Sequence, residues 1–373
     1  MKKGWKVEKL GDVIQLEYGK PLDASKRSED GKYPVYGANG EIARSNEYYY
    51  GKPTMIVGRK GSAGEINLTE KKFWALDVTY FVTFDDKKYD LRFLYYLLSK
   101  LELTKLAKGV KPGINRNDVY SIEVAIPPLP EQQRIVSVLD EAFASIAQAK
   151  SNAERNLVNA RELFEALLNE YFGHPRKGWK EMKLNDACIV ERGSSPRPIK
   201  KYQTTSKDGV NWIKIGDTKG VEKYIYSTKE KITKEGAEHS RFVKEGDFIL
   251  TNSMSFGNPY IMKTEGYIHD GWFVLRLKEF IDTEFFWFLL VSPFVRNQFN
   301  QLASGAIVKN ISGDLVKKAV LFIPPLAEQR AIVGRLEALS AETKRLEEIY
   351  QQKVESLEEL KKSVLGKAFG GEL

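Results

Sequence analysis

Two segments of the sequence return, in the same order, in its second half. The run GWKVEKLGDVIQLEYG begins at Gly4 and aligns without gaps with GWKEMKLNDACIVERG, which begins at Gly178, at an offset of 174 residues. IPPLPEQQRIV, from Ile126, returns as IPPLAEQRAIV, from Ile323, at an offset of 197 and with eight of eleven positions identical. The chain is therefore predicted to be an internal duplication, and the growing offset places about 23 extra residues between these landmarks in its second half.

Each half has the same order of predicted elements. Short β-branched and aromatic runs separated by glycines predict strands. An aromatic helix follows, RFLYYLLS from Arg92 to Ser99 and EFFWFLLV from Glu284 to Val291, and its apolar face is expected in a domain core. A last strand meets the paired prolines of IPPL, which end the strand and lead into a helix. The strand runs are PTMIVGRKG, WALDVTYFVTF, VNWIKIG, GDFILTN and GWFVLRL.

Two long helices are predicted after the IPPL turns. Alternating steps of four and three residues reach mostly apolar positions, which is typical of a coiled coil. Each helix runs roughly 40 residues, about 60 Å, and is too long to lie across one small domain. We expect an antiparallel pair within the chain; the alternative is a coiled coil with another chain. The seam positions are Ile135, Leu139, Ala142, Ile146, Ala149, Ala153, Asn156, Ala160, Leu163 and Leu167, and Ile332, Leu336, Leu339, Thr343, Leu346, Tyr350, Lys353, Leu357, Leu360 and Val364.

These elements predict an α+β architecture. Two strand-rich domains are separated by two long antiparallel coiled-coil helices, and an approximate twofold repeat relates the halves. A length of 373 residues agrees with more than one core. The predicted boundaries are 1–128 and 173–325 for the strand-rich domains, 129–172 for a central helical spacer and 326–373 for a distal one.

Composition favours a cytosolic protein with a polyanionic partner. The net charge is +8 and the pI is about 9.1, although a solvated lysine surface is the alternative. The longest apolar runs are too short to span a membrane, and the opening MKKGWKVEKL turns polar too soon for a signal peptide. The single cysteine, Cys188, is expected to be a small buried hydrophobic side chain.

Catalytic motifs are not found in the sequence. Its Gly-Lys pairs are not followed by Ser or Thr, which argues against a P-loop. The three histidines, His174, His239 and His269, lack metal-ligand spacing, so neither a zinc site nor a histidine-based triad is predicted. Asn258-Pro259-Tyr260 matches part of the Asn-Pro-Pro-Tyr element of amino methyltransferases but lacks the second proline.

Basic and amide groups on glycine-rich turns are the candidate DNA contacts of the first half. Gly58-Arg59-Lys60-Gly61-Ser62-Ala63-Gly64 follows a strand, and we expect Arg59 to bind guanine while Lys60 or Ser62 binds phosphate. A solvated hairpin tip is the alternative. The turn Tyr36-Gly37-Ala38-Asn39-Gly40 offers Tyr36 and Asn39, the latter for adenine, unless Asn39 is a left-handed turn residue. Lys111 and Arg116 precede the final strand.

The second half carries corresponding but different groups. RGSSPRPIKK, from Arg192 to Lys201, places four cations in ten residues, and TNSMS follows a strand that ends at Leu250. We expect the first run to bind phosphates and the second to bind bases. The candidates are Arg192, Arg197, Lys200, Lys201, Asn252, Ser253, Ser255, Lys309 and Asn310.

The pattern as a whole resembles the specificity (S) subunit of Type I restriction-modification systems. The resemblance spans the chain, from the GWK segments through IPPL-x-EQ at Ile126 to Gln132 and at Ile323 to Gln329 to the closing KAFGGEL. It implies two target-recognition domains that each bind one half of a bipartite, asymmetric double-stranded DNA site, with the helices setting the spacer.

The resemblance also implies the partners. Two modification subunits, and restriction subunits where a system has them, would dock on the chain. S-adenosylmethionine, ATP and Mg²⁺ would bind to those partners, with no cofactor or metal in this chain and no catalytic residue. Two alternatives stay open: the recognition part of a single-chain restriction or methyltransferase protein, and a coiled-coil scaffold without DNA contacts.

Overall fold

The computed structural model describes residues 4–252, 257–303 and 312–373. Within them the chain forms two compact units. Unit 1 comprises Met1–Glu154 with Gln351–Leu373, and unit 2 comprises Arg155–Tyr350. Two helices of 45 residues each, α4 (Leu129–Gly173) and α11 (Leu326–Gly370), contribute to both units.

Unit 1 contains the strands of the first half and three shorter helices. The strands, the aromatic helix and the last strand come in the predicted order, and two short helices that the sequence analysis did not predict lie near the ends of this half. In chain order the elements are β1 (Lys6–Lys9), α1 (Leu10–Val13), β2 (Ile14–Tyr18), β3 (Tyr33–Gly37), β4 (Gly40–Ser45), β5 (Thr54–Gly58), β6 (Ile66–Thr69), β7 (Trp74–Ala75), β8 (Thr79–Phe84), α2 (Leu91–Lys100), α3 (Arg116–Tyr120) and β9 (Glu123–Ile126).

Unit 2 follows the same order with additional elements. These are β10 (Lys180–Lys183), α5 (Leu184–Ala187), β11 (Cys188–Arg192), α6 (Ile199–Tyr202), β12 (Gln203–Thr204), β13 (Val210–Ile213), β14 (Tyr224–Ile225), β15 (Glu230–Ile232), α7 (Lys234–Ala237), β16 (Arg241–Val243), β17 (Phe248–Thr251), β18 (Pro259–Met262), β19 (Gly266–Ile268), β20 (Trp272–Leu277), α8 (Thr283–Val291), α9 (Pro293–Ala303), α10 (Gly313–Val316) and β21 (Val320–Ile323).

The sheets confirm the predicted internal duplication. In each unit the first strand pairs antiparallel with the strand before the IPPL turn, Lys6 opposite Ile126 and Lys180 opposite Ile323. A main sheet follows, β2-β8-β5-β6 in unit 1 and β11-β20-β17-β18-β14 in unit 2. A second sheet has the order β4-β3-β7 in unit 1 but β12-β15-β13-β19-β16 in unit 2.

The aromatic helices lie in the cores, as their sequence predicts. In unit 1, Phe93 of α2 is buried and packs against Phe369, with 5.2 Å between ring centroids. In unit 2, Phe285 of α8 is buried against Phe172, with the centroids 5.4 Å apart. Cys188 is also buried, and burial raises the pKa of its thiol to about 12, so it behaves as a hydrophobic side chain at neutral pH.

A buried glutamine explains why the IPPL-x-EQ segment repeats. Gln132 accepts a hydrogen bond from the backbone N–H of Asp90 (2.8 Å) and donates to the carbonyls of Lys88 (3.1 Å) and Pro127 (2.9 Å). Asp90 in turn caps α2 by accepting from the N–H groups of its first turn. The side chain therefore satisfies three backbone groups where the strand, the turn and the aromatic helix meet.

Gln329 makes the same contacts in unit 2. It accepts from the N–H of Asp282 (2.7 Å) and donates to the carbonyls of Phe280 and Pro324 (2.9 Å each). Asp282 caps α8 as Asp90 caps α2. The two halves thus share a buried hydrogen-bond arrangement as well as a sequence motif.

The long helices pack against each other in an antiparallel arrangement within each unit. In unit 1, Lys150 of α4 pairs with Glu358 of α11, while Arg134 donates to the carbonyl of Leu373 (2.8 Å). In unit 2, Arg161 of α4 pairs with Glu347 of α11 (2.9 Å). These contacts confirm the predicted intramolecular pair over the coiled coil with another chain.

The predicted seam is wrong at several positions. Asn156, Leu163, Lys353 and Leu360 are exposed. On α4, Leu157 and Phe164 are half-buried in place of Asn156 and Leu163, whereas the predicted Ala160 and Leu167 are buried and half-buried, and on α11 Val354 replaces Lys353. A straight α-helix has 3.6 residues per turn, so its apolar face drifts from a strict seven-residue repeat unless the pair supercoils.

In the part of the chain that the structure describes, no helix is long and apolar enough to span a membrane.

Candidate DNA interface

Two loops occupy equivalent positions in the two units. In unit 1 the loop after β5 is closed by Gly64 N–H donating to the carbonyl of Gly58 (2.7 Å). In unit 2, Gly257 N–H donates to the carbonyl of Thr251, the last residue of β17 (3.0 Å). Strand pairing shows the same equivalence, because Gly58 pairs with Thr79 and Thr251 pairs with Trp272.

This equivalence aligns candidates that the sequence analysis had chosen separately. At an offset of 193, Arg59 corresponds to Asn252, Lys60 to Ser253 and Ser62 to Ser255. Ser253, Ser255, Lys309 and Asn310 lie outside the described residues.

Arg59 and Asn252 make the same anchoring contact. Arg59 Nη1 donates to the backbone carbonyl of Asp77 (3.1 Å), and Asn252 Nδ2 donates to the backbone carbonyl of Asp270 (2.6 Å). Asp77 and Asp270 are themselves equivalent, because each lies two residues before the paired Thr79 and Trp272. Arg59 is half-buried and keeps further donors for a ligand. Asn252 is only 4% exposed, so a base would reach its Oδ1 acceptor only after a local rearrangement.

Arg59 belongs to an exposed cluster of two cations and an aromatic ring. The guanidinium carbon of Arg59 lies 4.9 Å from the ring centroid of Tyr18, and that of Arg116 lies 5.3 Å from the same centroid. Tyr18 packs against Tyr80 with 5.1 Å between ring centroids. Among the described residues, neither Arg59 nor Arg116 forms an ion pair. The cluster can therefore accept an anion.

The remaining basic candidates of unit 1 lie on adjoining loops. Lys60 forms an isolated β-bridge with Gly113, and the N–H of Gly61 donates to the carbonyl of Pro112 (2.8 Å). This places the loop of Lys60 beside the loop that carries Lys111, and both lysines are exposed. Ser62 is half-buried in the same loop.

The turn with Tyr36 and Asn39 adjoins Gly58. A Cβ on Gly58 would lie 2.7 Å from the carbonyl oxygen of Ala38, so only glycine fits this approach. Tyr36 packs edge-on against Phe73, with the centroids 5.9 Å apart, whereas Asn39 is exposed. Gly40, with φ +109°, takes the left-handed position, and Asn39 has no positive φ, so the left-handed alternative for Asn39 is wrong.

Asp270 organises the candidates of unit 2. Its carboxylate accepts from Ser195 Oγ (2.8 Å) and Arg197 Nη2 (3.3 Å), and its backbone carbonyl accepts from Arg192 Nε (3.5 Å) as well as from Asn252. The hydrogen bond from Ser195 lowers the pKa of Asp270, which keeps this carboxylate ionised at neutral pH. The structure thus brings Arg192, Arg197 and Asn252 together.

Lys200 and Lys201 lie on the short helix α6, in different environments. Lys201 pairs with Glu235 (3.5 Å), whose charge raises the pKa of the lysine, and its Nζ lies 5.1 Å from the ring centroid of Tyr202. Lys200 lines a cavity of about 870 Å³ together with Arg197 and Asp270.

The sequence analysis missed several side chains at these sites. Tyr18, Asp270 and Trp212 were not chosen, and His269 was considered only for a metal site or a catalytic triad. A signal was available: aligning WALDVTYFVTF with YIHDGWFVLRL on Asp77 and Asp270 marks that aspartate as a shared position. Among the described residues, no group of three or more His, Cys, Asp or Glu side chains could hold a metal ion.

Comparison with known proteins settles the family. Residues 2–155 and 176–356 match the family described as the Type I restriction modification DNA specificity domain. The chain belongs to this family. The Type I restriction enzyme EcoDI specificity subunit of Escherichia coli is 25% identical, with 99% of this chain and 88% of that protein covered.

Solved structures share the fold. A chain from a structure of a type I R-M system has a TM-score of 0.79 at 18% identity and covers 100% of this chain and 99% of its own. The HsdS subunit from Thermoanaerobacter tengcongensis has a TM-score of 0.63 at 18% identity, with 100% and 98% covered. The predicted resemblance to specificity subunits and the α+β architecture with paired long helices are thereby confirmed.

Proposed function

We propose that the chain is the DNA-binding specificity subunit of a Type I restriction-modification complex and that it reads a bipartite, asymmetric site. The main support is the pair of equivalent loops. Each holds a polar side chain on the backbone carbonyl of an equivalent aspartate, Asp77 or Asp270, but the side chain is Arg59 in one unit and Asn252 in the other. Arginine pairs with guanine and asparagine with adenine, so one frame would present two different readers.

Each reader has phosphate-binding groups around it. In unit 1, Arg116, Lys60 and Lys111 lie close to Arg59, and two guanidinium groups against Tyr18 favour a bridging phosphate. In unit 2, Arg192, Arg197 and Lys200 serve this purpose beside Asn252. Base contacts would then specify the sequence while the surrounding cations position the duplex.

The proposed domain organisation follows the sequence analysis. Residues 1–128 and 173–325 are the target-recognition domains, and the helices of 129–172 and 326–373 set the distance between the half-sites. Two modification subunits, and restriction subunits where the system has them, dock on this chain. They carry S-adenosylmethionine, ATP and Mg²⁺, while this chain acts in the cytoplasm as a non-catalytic recognition subunit.

Methylation mapping tests this proposal directly. DNA from cells that express the chain with its modification subunit should be methylated at one bipartite, asymmetric sequence. The purified chain alone should transfer no labelled methyl groups and cleave no DNA. Methyl transfer by the partner-free chain, or mapped sites that lack a second specified half, would refute the assignment.

Lengthening both helices tests their spacer role. One heptad inserted after Asn156 in α4 and after Lys353 in α11 adds about 10 Å to each. Because a base pair spans about 3.4 Å of duplex, the spacer between the half-sites should lengthen by up to about three base pairs while both half-sites stay the same. Three base pairs also rotate the groove by roughly 100°, and the groove must still face each domain. DNA that bends to meet this requirement makes the change in spacer length smaller.

The control is a heptad inserted in α4 alone, which should disturb the pairing of the helices and prevent assembly. If the matched double insertion assembles, binds with undiminished affinity and methylates sites with an unchanged spacer, the helices do not set the spacing.

A further inference from the structure

Unit 2 contains an open cavity of about 870 Å³ beside the proposed DNA contacts. This is a size typical of small-molecule sites. Its walls combine apolar side chains with a few polar groups of both charges. The lining residues are Ser195, Pro196, Arg197, Pro198, Ile199, Lys200, Gln203, Trp212, Lys214, His269 and Asp270.

Three lining residues have exact positional counterparts in unit 1. Val35 lies opposite Trp74 in the parallel pair of β3 and β7, as Trp212 lies opposite Tyr267 in the parallel pair of β13 and β19, so Val35 corresponds to Trp212. Leu76 and His269 each directly precede the equivalent aspartates Asp77 and Asp270.

The third correspondence is anchored by a glycine. Gly19 N–H donates to the carbonyl of Thr79 (3.2 Å), and Gly193 N–H donates to the carbonyl of Trp272 (2.8 Å). Leu22 and Pro196 each lie three residues after these glycines and so occupy the same position in the alignment.

The same place in the frame is a purely apolar cluster in one unit and adjoins a cavity with polar walls in the other. In unit 1, Leu22, Val35 and Leu76 are buried and pack into one apolar cluster. In unit 2 their counterparts Pro196 and Trp212 are also buried, Trp212 within an apolar cluster of its own, whereas His269 is half-buried, and all three border the cavity. An apolar cluster stabilises a domain by burial, whereas a polar-lined cavity does not, so the difference points to a ligand.

Two neighbouring polar groups of the cavity, His269 and Asp270, offer one hydrogen-bond donor and one acceptor to a ligand. His269 Nδ1 accepts the N–H of Gly271 (2.8 Å), so in the neutral ring the proton lies on Nε2, which is a donor. Burial lowers the pKa of His269 and favours this neutral form. The neighbouring Asp270 carboxylate is an acceptor. A donor beside an acceptor matches the edge of a nucleobase that presents an acceptor beside an N–H donor.

The rim and walls suit the rest of a nucleotide. Among the lining residues, the exposed Pro198 and the half-buried Ile199 offer apolar surfaces against which a planar ring can pack, whereas Pro196 and Trp212 are buried. Arg197, whose side chain is 81% exposed, and the exposed Lys200 are cations at the phosphate-binding side proposed above. Gly271 leaves room for the imidazole, because a Cβ there would lie 2.2 Å from its Cε1 atom.

We propose that this cavity receives one nucleobase of the bound DNA, rotated out of the helical stack, and that it contributes to the specificity of unit 2. The inference rests on the proposed function, since the base is presented by a half-site. Extrusion of a base costs a few kcal/mol, which stacking and edge contacts in such a pocket offset. Unit 1, where the place is an apolar cluster, reads its half-site without such a base.

Fluorescent base substitution tests the proposal. The chain, assembled with its modification subunits, is bound at saturation to duplexes that carry 2-aminopurine at each position in turn. The mapped methylation targets are left out, because modification enzymes extrude their own target base. Fluorescence should rise at one position within the half-site of unit 2 and at no position within that of unit 1.

Two variants close the cavity in different ways. His269→Leu installs the residue that unit 1 has at this position, and Ile199→Trp places a ring in the cavity. Each should abolish the fluorescence rise and weaken binding to the specific site about tenfold or more. Circular dichroism and thermal melting establish that the variants are folded, and an unchanged rise in either folded variant would overturn the proposal.

Arg192→Ala is the matched control, because Arg192 lies outside the cavity lining. It should weaken binding but leave the fluorescence rise intact at saturation. Specific binding without a rise at any position overturns the pocket and leaves the proposed function standing, whereas an absence of specific binding overturns the function itself. A free nucleotide is the other possible source of the base, and titration with deoxynucleoside monophosphates tests it. If these bind saturably, if His269→Leu abolishes this binding, and if no DNA position shows a fluorescence rise, the cavity is a free-nucleotide site.

Discussion

Units 1 and 2 keep the same buried contacts and differ where side chains reach solvent or a ligand. Gln132 and Gln329 bond the same three kinds of backbone group, and Asp90 and Asp282 cap the same helix. In contrast, the offset between equivalent residues grows from 174 at Gly19 and Gly193 to 193 at Gly58 and Thr251, and this longer segment of unit 2 contributes additional strands to both of its larger sheets. Buried backbone groups need a partner, so their partners are retained.

The proposed readers show the same contrast on a smaller scale. Arg59 and Asn252 are held by one bond to the carbonyl of an equivalent aspartate, so the anchoring is common. Beyond that bond, Tyr18 and Arg116 surround Arg59, whereas Arg192, Arg197 and Ser195 cluster around the aspartate of unit 2. A common anchor with different surroundings lets the two units differ in specificity without a change of fold.

The largest expected effect concerns the shared frame. Gln132→Leu should lower the free energy of unfolding of unit 1 by about 3 kcal/mol, because three buried backbone groups lose their partner. Gln329→Leu should do the same in unit 2. Calorimetry of the full chain should show that each variant lowers one thermal transition and leaves the other near its original temperature.

Gln133→Leu is the matched control for the first variant, since Gln133 is exposed and adjacent. Its effect should stay within about 0.5 kcal/mol. If Gln132→Leu and Gln329→Leu each lower both thermal transitions equally, the two buried glutamines do not stabilise separate units.

An intermediate effect is expected at the readers. Arg59→Ala should weaken recognition of one half-site by about 1 to 3 kcal/mol, and Asn252→Ala should weaken the other by a similar amount. Competition binding with duplexes altered in one half-site at a time measures both losses. Arg59→Lys keeps the charge but not the paired donors, so it should lose base preference while retaining most of the non-specific affinity.

A different pattern would change the role of Arg59. Equal weakening for all sequences, with a smaller dependence on salt, would make it a phosphate ligand like Arg116. The proposal that equivalent positions read different bases would then fail for unit 1.

Much of this arrangement could be predicted from sequence, and the physical reasons differ from element to element. The repeat, the aromatic helices and the IPPL turns depend on local patterns, and the structure confirms them. The open cavity could not be predicted, since it depends on how Pro196, Trp212 and His269 meet across strands distant in sequence. Asp270 was missed because two of its contacts use its backbone carbonyl, which no side-chain motif marks.

The smallest expected effect tests why the seam prediction failed on α4. A strict heptad places Leu163 in the seam, but its side chain is 58% exposed, whereas Phe164 is half-buried and packs near Phe288 with 6.5 Å between centroids. Leu163→Ala should therefore change the free energy of unfolding of unit 2 by no more than about 0.5 kcal/mol, because little apolar area is lost and alanine favours a helix. Phe164→Ala, the matched variant one residue later, should cost clearly more, since it removes a packed ring. Chemical denaturation of both variants gives the comparison. If Leu163→Ala lowers the free energy of unfolding as much as Phe164→Ala does, Leu163 lies in the seam as the seven-residue repeat predicts. The explanation by drift of the apolar face is then wrong.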